Sequence, residues 1–280
     1  MAHVKKPDWL KIRLGGNERF TQTKHIVESH CLHTICSSGR CPNMGECWER
    51  GTATFMIAGD VCTRSCKFCN TKTGKPLPLN PDEPENVARS IQLMKLKHAV
   101  VTSVDRDDLP DFGANHWVET IHKIKELNPA ITVEVLIPDF LGRRELVDMI
   151  CQALPDVIAH NMETVRRLTP QVRSAAKYDV SLSVLKYIAV SGRKAKSGIM
   201  LGLGETKEEI LGLMDDLLSV GCKVLTIGQY LQPSRKHLPV VEYITPESFD
   251  ELKSIAYGKG FDYVESGPLV RSSYHAENCL

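Results

Sequence analysis

The chain has 280 residues, enough for a sizeable core, with 35 Lys and Arg set against 34 Asp and Glu. This near-neutral balance, without a basic tract or an acidic tail, argues against a nucleic-acid partner, and no apolar run reaches the ~18–20 residues that span a bilayer. The opening MAHVKKPDWLK is charged and lacks the apolar core of a secretory signal, so the chain is expected in the reducing cytoplasm. There its ten cysteines are read as metal-binding or redox groups rather than a disulfide framework.

Residues 1–50 follow neither a helical nor a strand period and read as an irregular extension. Its last third carries CSSGRCPNMGEC (36–47), in which Cys36, Cys41 and Cys47 are spaced C-x4-C-x5-C. From about residue 52, short β-rich runs alternate with amphipathic stretches. The first run, TATFMIAG (52–59), is followed at once by CTRSCKFC (62–69), where Cys62, Cys66 and Cys69 are spaced C-x3-C-x2-C. A helix begins near Pro84 and carries Val87, Ile91 and Met94. HAVVTSV (98–104) is a strand that runs into the polar TSVDRDDL (102–109). A helix with Trp117, Ile121 and Ile124 ends at Asn128-Pro129.

Strands follow at ITVEVLI (131–137), VIAHNME (157–163), SGIMLGL (197–203) and VLTIGQY (224–230). GLGET (202–206) lacks the third glycine of a dinucleotide fingerprint; a tight turn alone explains it as well as a place beside a ligand pocket does. The helix after it has a capping-box pattern at Thr206 and Glu209, an apolar face of Ile210, Leu213, Met214, Leu217 and Leu218, and a stop at Gly221. QPSRKHLPV (232–240) is a basic loop whose Arg235, Lys236 and His237 face either a partner or solvent. The end, GPLVRSSYHAENCL (267–280), lies outside the alternation.

Nearly continuous apolar strands suit a sheet covered on both faces. Six β/α units in series predict parallel strands with right-handed crossovers, either doubly wound or as a partial barrel; six are too few for the full eight-fold barrel. Cys151 and Cys222, set among apolar residues, read as core thiols, and Cys31 and Cys279 are isolated.

Residues 62–69 carry the chemistry. A zinc finger or ribbon uses cysteine pairs with a second pair or an H-x3-5-H further on, and neither follows here. A 4Fe–4S cluster has four irons that each want an outside ligand, so three thiolates leave one iron open to a small molecule. The trio also sits just past the first strand, on the face where β/α folds bind ligands. A zinc staple completed by a distant ligand, inside a binding module without chemistry, is the alternative. The upstream trio, taken alone, would fit a structural zinc site.

C-x3-C-x2-C after the first strand, with Phe68 before its last cysteine, resembles the radical S-adenosylmethionine superfamily. That resemblance implies a partial (β/α)6 TIM-like barrel. It implies a 4Fe–4S cluster on Cys62, Cys66 and Cys69 whose open iron chelates the amino and carboxylate groups of S-adenosylmethionine. Reductive cleavage would then give a 5′-deoxyadenosyl radical. The two trios in this order, with GRCPNMGECW, GTATFMI, TSVDRDDLPD, HNMETV, MLGLGE, GQYLQPSRKHLPV and GPLVRSSYHA, resemble the lipoyl synthase family over nearly the whole chain.

The family likeness implies insertion of two sulfur atoms, at C6 and C8 of an octanoyl chain carried on a protein lysine. A second 4Fe–4S cluster on Cys36, Cys41 and Cys47 would be the sulfur source, with Ser273 of RSSY as its fourth ligand. Phe68, Asn161 and Glu163 are candidate contacts of S-adenosylmethionine, Asn161 and Glu163 to its ribose or amino group; His160 reads equally as structural. Expected partners are an octanoylated lipoyl carrier domain, from a 2-oxoacid dehydrogenase E2 or the glycine cleavage H protein, and an electron donor such as ferredoxin or flavodoxin. Neither nucleic acid nor membrane is expected.

The expected organisation is an extension over 1–51, a barrel over 52–265 and a tail over 266–280. A second radical sulfur-insertion enzyme, of the biotin-synthase type, is a further alternative, opposed by the N-terminal placement of the second trio and by the RSSY tail. The family's two glycines after LPD are here Phe112-Gly113, which loses one permissive φ position. Cys279 has no family counterpart and reads as a bystander.

Overall fold

The computed structural model describes residues 6–12, 16–29, 32–50 and 53–279. Cys31 and the boundary at 51/52 lie outside the described residues. In chain order the described elements begin with α1 (Glu18–Ser29), β1 (His33–Thr34), α2 (Ile35–Ser38), α3 (Met44–Glu49), β2 (Thr54–Ile57), β3 (Val61–Cys62) and β4 (Lys72–Thr73). They continue with α4 (Glu83–Leu93), β5 (His98–Ser103), α5 (Ala114–Leu127), β6 (Thr132–Leu136), α6 (Arg144–Gln152), β7 (Val157–Ala159), α7 (Thr169–Val172) and α8 (Tyr178–Val190). Last come β8 (Lys194–Leu201), α9 (Lys207–Ser219), β9 (Val224–Gln229), α10 (Pro246–Lys259) and β10 (Tyr263–Gly267).

Period-two alternation sorts each strand onto two surfaces. Phe55, Ile57, Val101, Val133, Val135, Leu225 and Ile227 point outward into one apolar layer with Ile91, Ile121, Ile150, Leu185 and Leu217 from the helices. Their neighbours Thr54, Met56, Val100, Thr102, Glu134, Leu136, Thr226 and Gly228 point the other way and line a single cavity. Strands from opposite ends of the sheet share that cavity, and the helices cover the outer face, so the sheet curls into an incomplete barrel. The doubly wound alternative is thereby set aside.

The sheet order is β1-β2-β5-β6-β7-β8-β9-β10, parallel throughout except for β1 against β2. All six expected strands appear, each followed by a helix, and α9 carries its capping box with both bonds made. Two ends differ from expectation. The run 157–163 leaves the strand after Ala159, because Glu163 turns to φ 65 and returns only as an isolated bridge to Ile199. The run 197–203 stops at Leu201, because Gly202 adopts φ +96, where a Cβ would meet Gln229 Nε2 at 2.2 Å and Glu242 O at 2.3 Å. The Glu205 carboxylate accepts from the Gly202 and Leu203 amides, so GLGET is a tight turn.

Two regions differ from expectation in their elements. β10 adds a seventh parallel strand, and the extension is not irregular: its described residues form α1, α2, α3 and the edge strand β1. α1 buries only Thr23 and Val27 and rests Phe20 on Trp48 at 5.4 Å between ring centroids. Two buried positions in a polar twelve-residue helix leave little period to read.

The tail closes the gap between the ends of the sheet. Val270 O approaches Gly228 so closely that a Cβ there would lie 2.2 Å from it. Thr54 Oγ1 of β2 lies 2.8 Å from Ser273 Oγ, beyond β10. At the far opening Cys279 packs with Val157 and Val224, at the starts of β7 and β9, and Lys194 Nζ donates to its carbonyl at 2.7 Å. Cys279 is therefore a buried packing residue of the barrel floor. Above it Lys196 Nζ bonds both Glu134 oxygens, at 2.8 and 2.9 Å, with both side chains almost fully buried. Among the described residues no helix is long and apolar enough to cross a membrane.

Candidate active site

β3 pairs with β4 in a short parallel ladder that anchors the first cysteine loop. Cys62 Sγ accepts from the Arg64 amide at 3.4 Å and the Asp105 amide at 3.3 Å. The Arg64 side chain is buried and fixes the loop from below. It forks onto Asp107 at 2.7 and 2.8 Å, reaches Asp139 at 2.8 Å, and lies 3.3 Å from Asp105. The loop is thus tied to the ends of β5 and β6. Cys66 Sγ lies 3.7 Å from Ser174 Oγ, which also accepts from the Ser65 amide. The Lys67 amide donates to Val172 O at 2.9 Å.

The 232–240 loop packs on the same segment. His237 Nε2 lies 3.0 Å from the Cys69 carbonyl and its Nδ1 2.9 Å from Ser234 Oγ, whereas Arg235 and Lys236 are exposed. Of the three basic residues, His237 therefore braces the cysteine loop and the other two face outward.

The second trio is held by α2 and α3. Thr34 caps α2 by accepting from the Ser37 amide, the Cys41 amide bonds Cys36 O, and the Cys47 amide bonds Asn43 O. One side of α3 and its cap clasps the tail. Asn43 Nδ2 donates to Leu269 O at 2.7 Å, the Tyr274 hydroxyl donates to Glu46 at 3.2 Å, and Arg50 pairs with Glu277 at 2.8 Å. That clasp sets Ser272 and Ser273 against the barrel interior. Asn70 Nδ2 to Ser38 O joins the two cysteine-bearing regions, and Arg40 Nη1 to Pro233 O joins the second to the 232–240 loop.

A cavity of about 530 Å³ opens between them. Cys36, Cys41, Cys62, Cys66, Cys69 and Ser273 all line it, as do Phe68, Asn161 and Glu163. Cys47 stands just behind Cys36 and Cys41, close enough that their charges raise its thiol. Burial, then Cys36 and Cys41, push Cys47 up to about 12; burial, then Cys41, push Cys36 up to about 11. Burial and the Asp105 carboxylate push Cys62 up to about 12. Such thiols ionise only when a cation is supplied. The nine described cysteines form no disulfide. Among the described residues no three His, Cys, Asp or Glu side chains converge on the point a single metal ion would occupy. A cuboidal cluster asks for a wider arrangement, since each thiolate binds a different iron.

The end of β7 brings further polar groups to the cavity. Asn161 Nδ2 donates to Ser272 Oγ at 2.7 Å and to Glu163 at 3.2 Å, while its Oδ1 is buried with no donor. The Glu163 carboxyl is pushed up by burial, opposed by Arg173 and Asn161. His160 resolves as structural: Nδ1 lies 2.9 Å from Ile137 O and Nε2 2.9 Å from Ser181 Oγ, and burial followed by Arg173 depresses its pKa to about 4. Phe112 does take the left-handed region, at φ 53, next to Gly113 at φ 83, with the Arg143 guanidinium 5.7 Å above its ring. Sequence reasoning missed Arg64, Asp139, Arg173, Thr54 and Trp48. Only Arg64 had a signal, as the one charged residue between the first two thiols of CTRSC.

The pattern of the Radical SAM superfamily matches residues 56–217. Lipoyl synthase of Parabacteroides distasonis is 73% identical over 275 residues, covering 98% of each chain. That of Bacteroides fragilis is 72% identical over 274 residues, 98% of this chain and 95% of its own. That of Treponema denticola is 62% identical over 276 residues, 99% and 95%. Among solved structures, methylornithine synthase (PylB) superposes with a TM-score of 0.54 at 12% identity, covering 93% of this chain and 86% of its own. Streptococcus suis SuiB bound to S-adenosylmethionine superposes with 0.59 at 12%, covering 80% and 54%. These two likenesses bear on the fold, and they agree with the incomplete parallel barrel. With near-complete coverage by enzymes of one name, and five of the six trio cysteines on one cavity, the chain belongs to the lipoyl synthase family of the radical S-adenosylmethionine superfamily.

Proposed function

We propose that this chain inserts sulfur at C6 and C8 of a protein-bound octanoyl group, with Cys62, Cys66 and Cys69 holding one 4Fe–4S cluster and Cys36, Cys41, Cys47 and Ser273 a second. The observation that carries the reading is the single cavity onto which five of the six thiols and Ser273 open. An alkyl C–H bond has no acidic proton for a side chain to remove, so acid–base groups alone cannot activate it. When bound, the first cluster with S-adenosylmethionine supplies a 5′-deoxyadenosyl radical and the second cluster supplies sulfur.

The protein's own groups prepare the site. The Arg64 and Asp105 amides donate to Cys62 and fix its rotamer, and the Arg64 carboxylate network keeps that loop from shifting. The unpaired Asn161 Oδ1 takes a hydrogen bond from a ribose hydroxyl or the amino group of S-adenosylmethionine; a buried acceptor without a donor is costly until one arrives. Glu163 is a second acceptor beside it, and Phe68 supplies an apolar wall. Met56, Val100, Leu136 and Met200 on the inner strand faces present an apolar surface to an octanoyl chain and keep water from it. An oxygen ligand holds iron less firmly than thiolate, which suits a cluster that must surrender sulfide.

In this reading residues 1–51 form the auxiliary-cluster unit, 52–265 the radical barrel and 266–280 the tail that delivers Ser273. The substrate is an octanoylated carrier domain of E2 or H-protein type, and a ferredoxin or flavodoxin supplies electrons in a reducing cytoplasm. Anaerobic turnover of an octanoylated carrier with reductant and S-adenosylmethionine tests it. Lipoyl carrier by mass spectrometry, with two 5′-deoxyadenosine molecules per product, is expected; iron-free protein carrying zinc and making neither product would overturn it.

A further inference from the structure

Thr54 opens β2 and turns its side chain inward, where it is 6% exposed. Its Oγ1 donates to Ser273 Oγ at 2.8 Å across 219 positions of sequence. The same residue lies beside Cys36 on the cavity wall, and it draws that thiol down against the rise that burial causes. The Trp48 indole N–H is buried and makes no hydrogen bond. Thr54 thus stands beside the most buried thiol of the second trio and holds the serine that the tail brings across the barrel gap.

We infer that Thr54 is the positioning residue of the auxiliary cluster's serine ligand, its hydroxyl holding Ser273 Oγ in place beside Cys36. The inference rests on the reading of Ser273 as a ligand. A serine oxygen bound to iron carries negative charge, and a donor aimed at it makes a charge-assisted hydrogen bond. Partners one step out from a metal orient the ligand and decide how long it stays. The Thr54 backbone is fixed in the β2 ladder, paired with Val100, so its hydroxyl is a rigid reference for the tail at Ser273. Ser272, bonded to Asn161, has its own anchor, so the Thr54 bond acts on Ser273 alone.

The test is the rate at which anaerobic, reconstituted enzyme loses iron from its second cluster to a chelator, without S-adenosylmethionine or carrier. Mössbauer spectra of the same samples count the oxygen-ligated iron. Thr54→Val keeps the shape and removes the donor; it is expected to lose iron roughly tenfold faster, with the oxygen-ligated iron signal weakened. Thr54→Ser restores the hydroxyl and should return to the wild-type rate. Ser273→Ala should match Thr54→Val. If Ser273→Ala is fast while Thr54→Val is like wild type, Thr54 has no such role and the serine ligand stands. If Ser273→Ala is itself like wild type, the serine-ligand reading fails first. If Thr54→Val folds poorly, the Thr54→Ser variant decides: a Thr54→Ser protein as labile as Ser273→Ala overturns the inference, since the hydroxyl alone would not be the cause.

Discussion

Glu134 and Lys196 face each other inside the barrel with almost no exposure, just above the cysteine that seals the floor. Burial pushes the Glu134 carboxyl up, and Lys196 opposes it. Removing one member strands the other, so Lys196→Met should cost about 3 kcal/mol in urea denaturation, near the low end for a broken buried pair because Glu134 can take up a proton. Glu134→Leu combined with Lys196→Met should recover most of that loss; a double variant as unstable as the single one would show that the pair matters as a pair. His160 gives a pH test. Its folded pKa, about 4, lies below the ordinary value of about 6.5, so the folded state prefers the neutral ring. That stability is complete above about pH 6.5 and is lost as pH falls toward 4, at up to ~1.4 kcal/mol per unit. His160→Gln should flatten the fall of the urea midpoint between pH 6.5 and 4.5, and an unchanged slope would remove His160 as its source. At this scale the cysteines were legible because each trio repeats one residue type at short, fixed spacings. Arg64 with Asp139, 75 positions apart, and Thr54 with Ser273, 219 apart, were not, because a hydrogen bond across such distances leaves no local pattern.

Among the elements, α3 and its cap decide where the tail goes. Asn43 is buried and gives its amide to Leu269 O, whereas the Arg50–Glu277 pair is about 40% exposed on both sides. Asn43→Ala leaves a carbonyl without its donor and should cost about 1–2 kcal/mol, felt locally. Arg50→Ala should cost no more than about 0.5 kcal/mol, because water screens that pair. Hydrogen exchange over 269–279 separates the two: roughly tenfold faster in Asn43→Ala and unchanged in Arg50→Ala. Equal effects would mean that the clasp is electrostatic rather than a buried hydrogen bond. The six strands that announced themselves are those with both faces covered. β10, reading YVESG, alternates buried with half-buried residues and includes a glutamate, so it offered no apolar run. α1 failed for the related reason that it buries two residues in twelve.

For the whole molecule, the two trios stand on different elements around one cavity. The first hangs from β3, β4 and the ends of β5 and β6; the second is held by α2 and α3, against a tail that crosses the barrel gap. Six β/α units were countable from the sequence, but the gap was not, because it is closed by a tail with no regular structure at Ser272 and Ser273. Asn70 Nδ2 to Ser38 O ties the two trios' regions directly, Arg40 to Pro233 O ties the second to the 232–240 loop, and neither bond uses a thiol. Losing one trio should therefore leave the other folded. Cys66→Ala is expected to make neither 5′-deoxyadenosine nor lipoyl carrier, because it loses the iron site that cleaves S-adenosylmethionine. Cys41→Ala, by contrast, should still give 5′-deoxyadenosine with an octanoyl carrier, since Cys62, Cys66 and Cys69 and their supports are untouched, yet give no lipoyl carrier. Iron counting on each variant, beside the two products, fixes which cluster was lost. Should a Cys41→Ala protein with a single cluster still convert octanoyl to lipoyl carrier, the sulfur comes from elsewhere, and the second trio is structural.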